Sequence, residues 1–123
     1  VIGDAGLETI VEFLVEARHV SIINLENNRV SDKGMLHICR GLVRNATLTE
    51  LNLNGNRLRD SSMRYLASAL VDLHKDSMIE ALEVDARAYH NLRDWTPNQS
   101  LHTLRVSRNY LSDAAADSIA RVF

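Results

Sequence analysis

The chain repeats itself, and no other property of the sequence restricts its fold as tightly. VSIINLENNRVSD at 20–32 returns as LTELNLNGNRLRD at 48–60, a displacement of 28, and again as LHTLRVSRNYLSD from Leu101. Val20, Ile23, Leu25, Asn28 and Val30 thereby align with Leu48, Leu51, Leu53, Asn56 and Leu58. The copy from Leu101 supplies Leu104, Val106, Asn109 and Leu111 at the same internal positions. A weaker copy opens at Ile79, with Leu82 and Val84. One such unit cannot bury its own apolar edge. The copies must therefore stack, and stability becomes roughly a sum of terms between neighbours.

The second half of each unit repeats as well. Ile38 and Leu42 align with Leu66 and Leu70, and with Ile119 and Phe123; going backwards, Ile2, Gly6, Ile10 and Leu14 fall onto Val30, Gly34, Ile38 and Leu42. These residues recur at helical spacing, whereas the first half alternates as a strand does. The expected division is one domain over 1–123, with a partial unit at 1–19, units at 20–47, 48–78 and 79–100, and a partial unit at 101–123. Neither end reads as a polar cap, so further repeats or a partner chain are expected beyond it. Asp4, Asp32, Asp60 and Asp113 stand just before the apolar helical series, where a short acceptor suits an N-cap.

A strand, a turn marked by asparagine and a helix, opened by L-x-x-L-x-L-x-x-N-x-L, resemble the leucine-rich repeat, specifically its ribonuclease-inhibitor-like class. That resemblance implies an α/β right-handed solenoid, a horseshoe segment with a parallel sheet on the concave side and helices on the convex side. It also implies that Asn28, Asn56 and Asn109 are structural, each amide bonding to main-chain groups of the bend.

The pattern falters in the third unit, which is short, while the unit before it is stretched. Arg87 stands at the asparagine position, and RAYHNLRDWTPNQS holds Trp95 and Pro97. Proline removes a donor and pushes its predecessor towards extended geometry, which predicts a loop or a short turn there. Tyr89 and Trp95 either refill the volume of the missing helix or anchor a partner; a buried Trp95 means packing and an exposed one means binding.

Because strand side chains alternate, inward Ile23 and Leu25 place Ile22, Asn24 and Glu26 on the open face. The same register gives Glu50, Asn52 and Asn54, then Ala81, Glu83 and Asp85, then Thr103, Arg105 and Ser107. That face is expected to be mostly acidic and amide-bearing, with Arg105 as its cation, and to steer a basic surface of a partner protein.

Composition excludes several alternatives. With 123 residues, 46% hydrophobic, 24% charged and a formal net charge of -2, the chain suits one globular unit and offers no basic stripe for nucleic acid. No run of about 18 apolar residues is present to span a membrane. The single cysteine, Cys39, favours a reducing compartment, so a cytoplasmic place is expected. Asn45-Ala46-Thr47 and Asn98-Gln99-Ser100 match the glycosylation pattern, which then has no meaning. His19, His37, His74, His90 and His102 show no ligand spacing, and no phosphate loop or activated nucleophile is evident. No enzyme, metal or cofactor is therefore expected. The function expected is a protein-interaction scaffold using the strand face and the irregular third unit. The alternatives are a GTPase-regulating domain resembling Ran GTPase-activating proteins and an architectural part of a cytoskeletal or ciliary assembly.

Overall fold

The computed structural model describes residues 3–16, 19–43, 45–71 and 98–120. Helices and strands alternate along it: α1 (Gly3–Glu16), β1 (Ile22–Asn24), α2 (Asp32–Leu42), β2 (Glu50–Asn52), α3 (Asp60–Val71), β3 (Thr103–Arg105) and α4 (Asp113–Ala120). The strands form one parallel sheet in the order β1-β2-β3. The helices pack in chain order, α1 on α2, α2 on α3 and α3 on α4. The result is an α/β repeat solenoid.

Each strand is short because the chain must bend at once towards its helix. Within a strand only alternate residues enter the core. Leu51 and Leu53 are buried, together with Leu48 before them and Leu58 beyond the bend. Each such leucine, removed from water, contributes about 1.5–3 kcal/mol. Burial falls off in the last described unit: Leu104, Val106 and Leu111 are only partly buried, whereas their equivalents Leu51, Leu53 and Leu58 are shut off. Among the described residues the middle unit has a neighbour on both sides and the last has one, as expected when coverage comes from stacking.

Helix α2 shows why the second halves repeat. Met35, Ile38 and Leu42 fall on one stripe at helical spacing and are buried. Gly34 precedes them and lies close against α1. A Cβ there would lie 2.2 Å from Asp4 Oδ1 and 2.7 Å from Leu7 Cδ1. Glycine inside a helix costs about 0.5–1 kcal/mol relative to alanine, and here it permits the close approach.

The sheet order corrects one expectation. In register, Glu50, Leu51 and Asn52 pair directly with Thr103, Leu104 and Arg105. Both sides of β2 are therefore occupied, one by β1 and the other by β3. The helix end shows the same juxtaposition, for the Asn98 N–H donates to Ala69 O at 2.7 Å. Asn98, at the head of the next unit, is thus bonded to the last turns of α3. Glu83, Asp85, Tyr89, Trp95 and most of the expected third unit lie outside the described residues.

Candidate protein-binding face

The strand face opposite the helices carries two rows set by the register, Ile22, Glu50 and Thr103, then Asn24, Asn52 and Arg105, and a third just beyond the strand ends, Glu26, Asn54 and Ser107, linked by main-chain bonds at Asn54 and Ser107. Ile22 is 60% exposed, unusual for a large apolar side chain. Asn24 and Arg105 are also exposed. Parallel strands normally hide both faces under helices, whereas the side chains in these rows are exposed or only partly buried.

Its electrostatics differ from the sequence expectation. Arg105 Nε donates to Glu50 Oε1 at 3.0 Å, and Arg108 Nη2 donates to Glu26 Oε1. Both described glutamates of the face thus have an arginine of this chain beside them, and the described part of the face is balanced rather than acidic. The reason is the sheet order: with β3 directly beside β2, Arg105 stands next to Glu50. Such exposed pairs contribute about 0–1 kcal/mol each, so they set local charge more than stability.

The amides on this face have main-chain duties. Asn24 Oδ1 accepts the Glu26 N–H at 3.0 Å, and Asn52 Oδ1 accepts the Asn54 N–H at 3.0 Å. Asn54 Oδ1 accepts the Ser107 N–H of the next unit at 2.7 Å. These three asparagines shape the exit from each strand as well as lining the surface.

Behind them stands the column of bend asparagines, buried at Asn56 and partly buried at Asn28 and Asn109. Asn56, 4% exposed, donates through Nδ2 to Leu25 O, Leu53 O and Asn54 O, and its Oδ1 accepts the N–H groups of Asn28 and Val30. One side chain satisfies five main-chain groups of two units. Asn109 repeats the arrangement, donating to Leu53 O, Val106 O and Ser107 O and accepting the Leu58 N–H. Asn28 Nδ2 donates to Glu26 O at 3.0 Å.

The aspartates do something other than cap their own helices. Asp32, Asp60 and Asp113 are the first residues of α2, α3 and α4, and Asp4 is the second of α1; the cap of α2 is Ser31. The carboxylates of Asp4, Asp32 and Asp60 instead reach the following unit. Asp4 accepts from the Ser31 N–H and hydroxyl, Asp32 from the Arg59 N–H and the Ser62 hydroxyl, and Asp60 from the Ser112 N–H and hydroxyl. The hydroxyl and then the N–H of Ser112 hold the Asp60 carboxyl below its ordinary range. In the first helical turn the charge still faces the positive end of the dipole. For Asp113 no acceptor role is seen among the described residues.

Two asparagines that the sequence left without a role are also structural. Asn45 Oδ1 accepts the N–H groups of Thr47 and Leu48; Asn98 Oδ1 accepts those of Ser100 and Leu101. Asn98 Nδ2 further donates to Leu42 O and Asn45 O. Both residues are buried, which rules out glycan attachment in the folded chain. Their recurrence at a displacement of 53 marks the direct neighbourhood of the two units.

Cys39 is fully buried, and burial pushes its thiol up, away from nucleophilic use. No described helix is long and apolar enough to cross a membrane.

A family model described as Leucine Rich repeat matches residues 16–39, 44–67 and 98–120, more than half of the chain. The chain belongs to the leucine-rich repeat family. The three matches bypass residues 68–97, in agreement with the direct pairing of β2 with β3. No curated protein sequence matches this leucine-rich repeat chain. Among solved structures, a chain of leiomodin-1 actin-binding site 2 (ABS2) is similar, with a TM-score of 0.64 and 21% identity over 97% of this chain and 56% of that one. This leucine-rich repeat array thus spans about half the length of that structure; at such identity the likeness establishes the fold.

Proposed function

We propose that this leucine-rich repeat array is a protein-docking scaffold whose partner sits on the open strand face. One observation carries the reading: nine side chains, six in two registered rows and three just beyond the strand ends, stand on the side of the sheet away from the helices, with Ile22 exposed among them. An exposed apolar side chain inside a polar field suits a contact that desolvates on binding. Nine positions fall short of the roughly 20–30 residues per side of a standard interface, so the described face supplies part of the contact. The balanced charge favours a polar, hydrogen-bonding partner surface over a strongly basic one.

Filamentous actin is the first partner to test, because the similar leiomodin-1 structure is an actin-binding site. This supports the cytoskeletal reading over the GTPase-regulating one, on which nothing in the described geometry bears. Co-sedimentation of the purified chain with filaments is the test. Ile22→Asp combined with Thr103→Glu should abolish co-sedimentation while the circular dichroism melt stays unchanged. Equal pelleting of variant and parent would remove the strand face from the account. Stimulated GTP hydrolysis by a small GTPase would move the function to the regulatory alternative.

A further inference from the structure

We infer that Asn54-Gly55 is a latent modification site, whose cyclisation to a succinimide and hydrolysis to aspartate or isoaspartate is held off by Ser107 of the next unit and released when that unit undocks. The inference goes beyond the protein-docking reading and needs no partner.

The sequence holds one Asn-Gly step. Without a side chain, glycine leaves its amide nitrogen unshielded and free to turn towards the preceding side chain, so this step cyclises more readily than other asparagine steps. Hydroxide takes the Gly55 N–H proton, and the nitrogen attacks Asn54 Cγ. The Cγ–Nδ2 bond breaks and ammonia leaves. Water then opens the five-membered imide at either carbonyl. One opening gives an ordinary aspartate; the other routes the main chain through Cγ and lengthens it by a methylene.

Ser107 holds both reacting groups. The Gly55 N–H donates to Ser107 O at 2.8 Å, and Asn54 Oδ1 accepts the Ser107 N–H at 2.7 Å. The main chain around them is fixed as well: Asn54 O accepts from the Asn27 N–H at 3.0 Å and from Asn56 Nδ2 at 3.2 Å, and the Asn54 N–H donates to Asn52 Oδ1 at 3.0 Å. A donor on Oδ1 does polarise the side-chain amide towards attack. The nucleophile decides the balance, because a deprotonated Gly55 nitrogen would lose its bond and face a carbonyl oxygen at 2.8 Å. Attack therefore waits until Gly55 leaves Ser107. Local opening is drawn from regions with few buried apolar contacts, and the unit that carries Ser107 is such a region: Leu104, Val106 and Leu111 are only partly buried, whereas Leu51, Leu53 and Leu58 are buried. The aspartate product adds a carboxylate to the row that holds Glu26. The isoaspartate product shifts Gly55 out of step with Ser107, so the opened unit cannot return to the same bonds. A transient opening is thereby made lasting.

The purified chain, incubated at mildly alkaline pH and then digested, tests this by mass spectrometry, with the aspartate and isoaspartate products at position 54 separated by chromatography. Conversion should be at least about tenfold slower than in a synthetic peptide of residues 50–58, because the folded chain reacts only from its open fraction. Leu111→Ala weakens the packing of the last unit and Ser112→Ala removes its hydroxyl bond to Asp60. Each should speed conversion several-fold without touching the dipeptide. Leu7→Ala, in α1 at the other end, should leave the rate unchanged although Leu7 is fully buried. Circular dichroism melts check that every variant folds. Asn54→Gln should abolish the product. Conversion as fast in the chain as in the peptide overturns the inference, as does an unchanged rate in both last-unit variants. Equal acceleration by Leu7→Ala and Leu111→Ala overturns it in favour of unfolding of the whole chain. Product persisting in Asn54→Gln overturns it by moving the reaction to Asn52 or Asn56.

Discussion

Arg108 is bonded to Glu26, two strands away in the sheet, past Gly55 of the strand between them. Asn27, Gly55 and Arg108 occupy one repeat position, and all three have positive φ, at 58°, 67° and 56°. A Cβ on Gly55 would lie 2.0 Å from Asn27 Oδ1 and 3.7 Å from Arg108 Cζ. The missing side chain in the middle unit therefore leaves room for its neighbours on both sides.

Gly55→Ala should therefore destabilise by more than about 1 kcal/mol, since alanine meets both a positive φ and an occupied space. Urea melts of variant and parent check this. A midpoint unchanged within error would show that the bend is free to rearrange.

Loss of the buried amide should be more costly. Asn56→Ala removes bonds to five main-chain groups, of which Leu53 O keeps Asn109 Nδ2 and Asn54 O keeps the Asn27 N–H, and is expected to destabilise by about 3 kcal/mol. Asn24→Ala, on the exposed face with one turn bond, should cost under about 1 kcal/mol. Similar costs at the two sites would contradict the division between buried column and surface row.

The core should show its gradient in the same measurement. Leu53→Ala is expected to cost about 2–5 kcal/mol through an unfilled cavity, and Leu111→Ala, partly exposed, about half of that.

The aspartate ties between units predict a pH dependence. The Asp60 carboxyl is lowered in the folded chain, so its contribution is complete above its ordinary unfolded value and is lost as pH falls through the folded one. Ser112→Ala should move the Asp60 titration, followed by carboxyl-carbon NMR, back up towards the ordinary range. Asp60→Asn should flatten the acid limb of the stability profile. An unmoved titration in the serine variant would dissociate the shift from the tie between units.

The apolar columns and the bend asparagines were legible in the sequence because each position has one local job that recurs in every unit. Leu25 and Leu53 are buried, and Asn56 and Asn109 bond the bends, as a repeat of strand, bend and helix requires. Sheet order was harder to read. Ile79, Leu82 and Val84 carry the strand phrase in sequence but lie outside the described residues, whereas β2 pairs directly with β3. The more discriminating signal was polar: Asn45-x-Thr47-Leu48 returning as Asn98-x-Ser100-Leu101, with buried amides serving the same main-chain groups. With β3 directly beside β2, Glu50 stands beside Arg105 and Glu26 beside Arg108, whereas an order with the Ile79 copy between them makes the face acidic. The aspartates misled for a related reason: their place at the helix start was evident, but their partners lie in the next unit.

The direct adjacency of β2 and β3 underlies the charge balance of the strand face, and one cross-link tests it. Asn52 and Arg105 are paired neighbours on the open face, at the strand spacing of about 4.8 Å that a disulfide can bridge. Asn52→Cys with Arg105→Cys should oxidise quickly under mild conditions, with Cys39 left buried and unreactive, and should raise stability by roughly 4 kcal/mol from loop closure. If another strand separated them, they would stand about 10 Å apart. The two thiols would then stay free, and the repeat order described here would be wrong.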